Sequence, residues 1–157
     1  MHLVAPQAFA NNVHGETHGV EASASWRITD RWTLNPGYAF LTMHLHRDAA
    51  SQDITTAPGT EGTIPSHQAQ LRSHVDLPWK LQWNASASFV GRLAAQAVPS
   101  YTRLDTNLIW KPVEHFSIEL VGQNLLKDRH WEFNDPAQTA LSTLVKRSFY
   151  AQLTAKF

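Results

Sequence analysis

Apolar and polar residues alternate at every second position along most of this chain, which is the period of a β-strand with two different faces. The alternation is clearest at the carboxyl end, where the apolar positions are Phe149, Ala151, Leu153, Ala155 and Phe157. As an edge strand in water, this segment would expose its aromatic rings and an open hydrogen-bond ladder together. In a membrane barrel, lipid surrounds such rings and closure pairs the edge strand with another strand. The pattern therefore predicts a membrane-embedded β-barrel.

The same alternation predicts seven strands in all. Their apolar faces begin at Val20, Trp32, Ala69, Leu81, Leu104, Phe116 and Phe149. Within the second strand, Pro36 has no N–H to donate to a ladder, and we expect a bulge or a local kink there. The first and last of seven antiparallel strands would run parallel, so we expect an open piece of a larger barrel.

The predicted connections are alternately short and long. Short turns fall at 29–31, 78–80 and 111–115, and longer loops fall at 47–66, 93–100 and 125–144. Antiparallel order puts all the short turns at one end of the sheet, together with the carboxyl terminus. Short turns at one end and longer loops at the other are typical of outer-membrane barrels.

Aromatic residues are sorted by height along the predicted strands. Those near the short turns are Trp26, Trp32, Trp79, Trp83, Trp110 and Phe116, and those toward the opposite ends are Tyr38, Phe40, Phe89, Tyr101 and Phe149. Amphipathic rings favour the headgroup level of a bilayer, and smaller apolar residues separate the two groups. We therefore predict two interfacial aromatic girdles.

Composition excludes several classes of function. Lys and Arg number 13 against 13 Asp and Glu, a formal net charge of zero, and nucleic acid is not an expected partner because phosphate binding needs a basic surplus. The chain has no Cys, which removes disulfides and thiolate metal sites. Residues 1–12 are interpreted as a loop rather than a signal peptide, because they hold no Lys or Arg and Pro6 interrupts their apolar run.

Nine His residues are candidate metal ligands. His44 and His46 would project from one strand face at its loop end, a spacing able to hold a metal ion. His14 and His18 also lie near a loop, but the spacing fixes no third ligand. We interpret these residues as solvated polar groups at the outer rim and predict neither a metal site nor a bound cofactor.

Two charged pairs are spaced by two residues on the polar face, Arg103 with Asp105 and Arg72 with His74. They are interpreted as ion pairs rather than as an acid and a base, because no nucleophile with an oriented partner accompanies them. No phosphate-binding glycine loop occurs either. The sequence therefore predicts no catalytic site.

Several motifs resemble the carboxyl-terminal part of TonB-dependent outer-membrane receptors. Residues 98–105 (VPSYTRLD) enter a strand that ends in 110–112 (WKP), and residues 121–126 (VGQNLL) leave the next strand. Residues 130–133 (HWEF) follow in the loop. The last strand opens with 146–150 (KRSFY) and ends with 153–157 (LTAKF).

This resemblance implies an all-β fold, an antiparallel transmembrane β-barrel of which the chain holds about seven carboxyl-terminal strands out of about 22. Residues 1–157 would form that portion of the barrel, with no plug domain among them. The implied function is uptake of a scarce ligand such as a ferric siderophore or another metal complex, energised by the TonB complex. The implied location is the outer membrane of a Gram-negative bacterium, as an integral protein in lipid.

The resemblance also gives the last strand a role. The apolar row ending in Phe157 is similar to the signal that the barrel assembly machinery recognises in this family. Such an edge strand can pair with a partner by β-augmentation. In the alternative interpretation, Phe157 is one more interfacial aromatic residue.

Two other classes of function remain open at the level of sequence. One is a soluble β-barrel that binds a small ligand, with its apolar face turned inward. The other is an outer-membrane barrel enzyme. A requirement for detergent would separate the receptor from the soluble module, and a hydrolytic activity lost on mutation of Ser, His or Asp would support the enzyme.

Overall fold

A computed structural model describes residues 11–51, 54, 56–134 and 141–156. Its strands are β1 (Val13–Ser23), β2 (Trp26–Thr29), β3 (Trp32–Arg47), β4 (His67–Leu77), β5 (Leu81–Val90), β6 (Tyr101–Val113), β7 (Phe116–Gln123), β8 (Arg129–Phe133), β9 (Thr143–Lys146) and β10 (Ser148–Ala155), and a short helix α1 covers Thr56–Glu61. Residues 1–10, most of the predicted amino-terminal loop, and Phe157 lie outside the described residues. No helix in the described part is long and apolar enough to cross a membrane.

The main sheet follows the order β1-β3-β4-β5-β6-β7-β10, and β2 also pairs with β3. Every pairing is antiparallel. If β1 and β2 are taken as one interrupted strand, these are the seven predicted strands. Within the described residues the sheet is open, with β1 at one edge and β10 at the other.

The register confirms the predicted division of the sheet into an apolar and a polar face. Cross-strand partners lie on the same side of an antiparallel sheet. Apolar positions meet apolar positions from one edge of the sheet to the other, in the pairs Ala22↔Tyr38, Pro36↔Leu71, Leu71↔Ala87, Ala87↔Leu104, Leu108↔Leu120 and Leu120↔Ala151. A slip of one residue at any pairing would put polar side chains on the apolar face, and no slip occurs across these pairs.

The expected irregularity at Pro36 takes another form. Ser23 pairs with Gly37 and Trp26 pairs with Leu34, so the number of residues between the pairs is the same on both strands. No extra residue is inserted between these pairs, so the bulge offered as one form of the expected irregularity does not occur at Pro36; the register of this strand pair shifts instead between Arg27 and Thr29. The neighbouring strand is also interrupted between β1 and β2, opposite the proline.

The connections alternate as predicted, but two of the long ones hold regular structure. Two-residue turns occur at 30–31 and 114–115, and a three-residue turn occurs at 78–80. The loop after β3 contains α1, and the connection from β7 to β10 contains β8 and β9. These two strands form a separate antiparallel sheet, which the sequence did not predict within the long connection at 125–144.

The buried side chains lie at the loop end of the sheet. Among the described residues, the buried ones include Leu93, Val98, Asn124 and His130. Leu93 and Val98 form a backbone bridge in the β5–β6 connection, and the Asn134 side chain donates to the Gln96 carbonyl oxygen at 2.9 Å. The β5–β6 connection and the β8–β9 hairpin therefore pack together there.

Candidate functional site

The polar face carries linked side-chain hydrogen bonds near the 78–80 turn. His74 Nδ1 and Asn84 Oδ1 are 2.6 Å apart, and His74 Nε2 lies 3.4 Å from Asp76 Oδ1. Gln82 donates to the same Asp76 oxygen at 3.1 Å. His74 thus bonds to Asn84 and Asp76, whereas the sequence suggested a pair with Arg72.

Arg103 and Asp105 form the ion pair that their spacing predicts. Arg103 Nε lies 2.9 Å from Asp105 Oδ2 and 3.0 Å from Asp105 Oδ1. The same guanidinium reaches Glu132 of β8, with Nη1 at 3.4 Å from Oε1. Arg103 therefore links the main sheet to the β8–β9 hairpin. Sequence spacing could not indicate this contact, because 29 residues separate Arg103 from Glu132.

Asn124 joins three segments at the end of β7. Its φ is 52°, in the left-handed region that Asn tolerates better than most residues. Its backbone N–H donates to Asp105 Oδ1 at 2.8 Å, and its side-chain Nδ2 donates to the Val145 carbonyl oxygen at 3.0 Å. Asn124 is fully buried, so these bonds tie β6, the β7 end and β9 together in a partly dry environment.

His130 completes this cluster. The ring is buried, lies 4.5 Å from the Tyr101 ring between centroids, and places Nε2 3.0 Å from Glu132 Oε1. We define the loop-end cluster as Tyr101, Arg103, Asp105, Asn124, His130 and Glu132. Its carboxylates are paired with Arg103, His130 or a backbone donor, so the arrangement can fix the position of the hairpin. In the sequence, residues 130–133 are recognisable only as a family motif.

The predicted rim histidines lie at the loop ends of β1 and β3. His14 pairs across the ladder with His46, and Glu16 pairs with His44. His14 Nδ1 is 2.9 Å from Asp48 Oδ1, and His18 Nε2 is 3.2 Å from Glu16 Oε2. In the described part of the chain, no group of three or more His, Asp or Glu side chains is arranged to hold a metal ion.

The residues of the predicted aromatic girdle lie near the short turns. The set is Trp26, Trp32, Trp79, Trp83, Trp110 and Phe116. Two indoles bond across strands, Trp32 Nε1 to Ser73 Oγ at 3.0 Å and Trp83 Nε1 to Thr106 Oγ1 at 2.8 Å. Trp79 occupies the 78–80 turn and is 83% exposed. Large exposed rings at one end of a sheet are what an interfacial girdle needs, and this role stays a prediction.

The predicted assembly signal lies on the edge strand β10. Its described members are Phe149, Ala151, Leu153 and Ala155. Phe149 is 71% exposed and Leu153 is 64% exposed. Within the described residues, β10 pairs only with β7. The edge is therefore available to a partner strand, and its recognition by assembly machinery stays a prediction.

Comparison with known proteins places this sheet among receptor barrels. Residues 4–125 match the family model described as TonB dependent receptor-like, beta-barrel. The siderophore receptor PiuA from Acinetobacter baumannii matches with a TM-score of 0.71 and 21% identity, over 91% of this chain and 22% of that one. The ferric yersiniabactin uptake receptor FyuA from Yersinia pestis matches with a TM-score of 0.68 and 18% identity, over 94% of this chain and 24% of that one. No curated protein matches the sequence significantly.

Proposed function

Because this chain belongs to the family of TonB-dependent receptor-like β-barrels, we propose that it is part of an outer-membrane receptor that takes up a scarce ligand. Two similar structures are a siderophore receptor and a ferric yersiniabactin uptake receptor. The proposed ligand is therefore a ferric siderophore or another metal complex. The family consists of transport receptors, and no catalytic role is assigned to any residue.

The observation that carries this proposal is the apolar band that crosses one face of the sheet. Apolar residues pair with apolar residues from β1 to β10, which suits a wall with lipid on one side and a polar lumen on the other. The connections also differ between the two ends of the sheet, with two- and three-residue turns at one end and the longer loops at the other. In this arrangement the short turns face the periplasm and the loops face outward.

Residues 1–157 act in this proposal as the carboxyl-terminal portion of the barrel. The free edges of β1 and β10 would pair with other strands, since an open ladder is costly in lipid. Outer-membrane lipid contacts the apolar face, the assembly machinery inserts the barrel, and the TonB complex supplies energy through other parts of the receptor. The loop-end cluster holds the β8–β9 hairpin at the end where ligand enters.

The proposal is tested by disrupting the gene within the codons for β4 to β7 in the source bacterium. We expect uptake of iron from one ferric siderophore in a panel to fall to background, and a plasmid copy to restore it. A plasmid copy carrying Leu71→Arg on the apolar face of β4 should not restore uptake, whereas Gln70→Arg on the polar face should. Uptake of every complex at the parental rate after disruption would contradict the proposed ligand class.

A fractionation experiment tests the location separately. The chain should sediment with outer membranes and stay there after washing with high salt or alkaline carbonate. Release by either wash would show that lipid does not surround the apolar face, whatever the ligand is.

A further inference from the structure

The loop ends of β1 and β3 bring two histidine rings together on the apolar side of the sheet. His14 and His46 are direct cross-strand partners, and their ring centroids are 5.9 Å apart with the ring planes tilted by 41°. They lie beyond the apolar band, because the pairs between them and Val20↔Phe40 are Glu16↔His44 and His18↔Thr42. Both rings therefore face away from the polar face.

A carboxylate orients one of the two rings. His14 Nδ1 is 2.9 Å from Asp48 Oδ1, and the His14 side chain is 68% exposed. Asp48 is held in place, since its backbone N–H donates to the Asn12 carbonyl oxygen at 2.9 Å. A carboxylate on one nitrogen fixes the tautomer of a histidine and makes the other nitrogen a better metal ligand. Nε2 of His14 is thus the nitrogen that would bind a cation.

The spacing of the two rings suits one metal ion. With metal–nitrogen distances of about 2.0–2.1 Å, each ring centre lies about 3 Å from the ion, so two rings on one ion have centres about 4.5–6 Å apart. The observed 5.9 Å falls within this range. Two protein ligands and water are sufficient for such a surface site, so it does not depend on a group of three protein ligands.

We propose that His14 and His46 together bind a divalent transition-metal ion on the outer wall of the barrel, with Asp48 as the residue that positions His14. Imidazole ligands favour Cu²⁺, Ni²⁺ and Zn²⁺ over Mg²⁺ and Ca²⁺, which prefer oxygen. Glu16 and His44 form the next pair on the same face, two residues along each strand, and the Glu16 carboxylate adds negative charge nearby. This site is separate from the polar face and independent of the ligand proposed above.

The test is a titration of the full chain, folded in detergent micelles, with Cu²⁺, followed by calorimetry and by the nitrogen couplings in the electron paramagnetic resonance spectrum. We expect a spectrum with two imidazole nitrogens for the unaltered chain. His14→Gln and His46→Gln should each reduce this to one nitrogen and weaken binding at least about tenfold. Asp48→Asn should weaken binding about 10- to 100-fold and keep two nitrogens.

Two controls make the outcome decisive. His115→Gln, at the short-turn end of the sheet, should bind Cu²⁺ like the unaltered chain. Titration in denaturing urea, where the register between β1 and β3 is lost, should give binding at least about tenfold weaker. Unchanged affinity in His14→Gln or His46→Gln, binding that is equally tight in urea, or no binding by the unaltered chain would each overturn the proposal.

Discussion

Ala24 donates its backbone N–H to the carbonyl oxygen of Pro36 at 3.1 Å, and Pro36 has no N–H with which to return the bond. In the hydrogen-bonded pairs of an antiparallel ladder, which alternate with non-hydrogen-bonded pairs, the two opposed residues exchange both bonds. The half-made pair explains why the strand is interrupted between β1 and β2 while the register stays the same from Ser23↔Gly37 to Arg27↔Thr33. One proline thus divides an edge strand without changing which side chains lie on the apolar face.

Replacing Pro36 by Val should complete this pair. The new N–H can donate to the Ala24 carbonyl oxygen, a gain of about 0.5–1.5 kcal/mol, and the more flexible unfolded chain offsets about 0.4–1 kcal/mol. We therefore expect little change in the free energy of unfolding but a protected amide at position 36. Hydrogen exchange in micelles measures this, with the Ala24 amide as internal reference. Rapid exchange at position 36 would show that the pair stays open.

Alternation was sufficient to predict the main sheet, because a period of two both defines a strand and fixes its faces. Trp32, Leu81 and Phe116 each begin a strand where the sequence predicts one. The turns can be predicted equally well, because Pro and polar residues interrupt the apolar runs. Both features depend on residues that are close together in sequence, so one sequence is enough to predict them.

The parts that sequence analysis missed depend on contacts between distant residues. β8 has five residues and β9 has four, too few for an alternation to stand out. Their position is set by the Arg103–Glu132 contact at 3.4 Å and by the bond from Asn124 to Val145. His14 and His46 are likewise 32 positions apart in sequence, and their pairing depends on the register between β1 and β3, which the spacing of residues within either strand does not reveal.

The assignment of faces predicts unequal effects for Arg at adjacent positions of β4. Leu71 lies on the apolar face, opposite Pro36 and Ala87, and Leu71→Arg should destabilise the barrel by about 2–4 kcal/mol near the bilayer midplane. Gln70→Arg, on the polar face, should have little effect. Urea titration of folding into lipid vesicles measures both variants. Equal losses of stability would refute the assignment of Leu71 to lipid.

The loop-end cluster predicts that Arg103 restrains the β8–β9 hairpin. Arg103→Ala removes the contacts with Asp105 and Glu132 and leaves both carboxylates without this cation. Hydrogen bonds to charged groups contribute about 1.5–3 kcal/mol, so the local opening free energy of β8 should fall by that order. Hydrogen exchange of residues 129–133, compared with exchange in β4 and β5, measures this local opening free energy. Arg72→Ala, the same change on the polar face of β4, should leave β8 exchange unchanged, and an equal effect there would argue against a local restraint.

The proposed girdle predicts the depth of individual tryptophans. Trp83 and Trp110 lie near the short turns and should sit at the headgroup level of the bilayer. In variants that retain one of these tryptophans, a quencher attached near the lipid headgroup should reduce fluorescence more than one at the acyl-chain centre. Trp131, in the β8–β9 hairpin, serves as the control and should respond weakly to both. Stronger quenching of Trp83 from the bilayer centre would contradict the girdle.

Phe157 provides the test that separates a role in assembly from a general interfacial role. The apolar row of β10 leads toward it along an edge that is free within the described residues, and Lys156 donates its backbone N–H to the His115 carbonyl oxygen at 2.9 Å. This bond places the end of β10 beside the β6–β7 turn. Phe116 is the matched control, because it is the cross-strand partner of Ala155 and lies at the same end of the sheet.

If the terminal ring anchors β10 in the assembly machinery by β-augmentation, deleting Phe157 should sharply reduce the amount of protein in the outer membrane. Ligand uptake per inserted molecule should stay near normal, since the polar face and the loop-end cluster are unaltered. Phe116→Ala should leave the inserted amount unchanged, because the expected role of that ring is interfacial. Membrane fractionation and immunoblotting measure insertion, and labelled-ligand uptake gives the activity per molecule. If the deletion and Phe116→Ala reduce insertion equally, Phe157 is an interfacial aromatic like its neighbours, because an anchor for assembly has no equivalent elsewhere in the girdle.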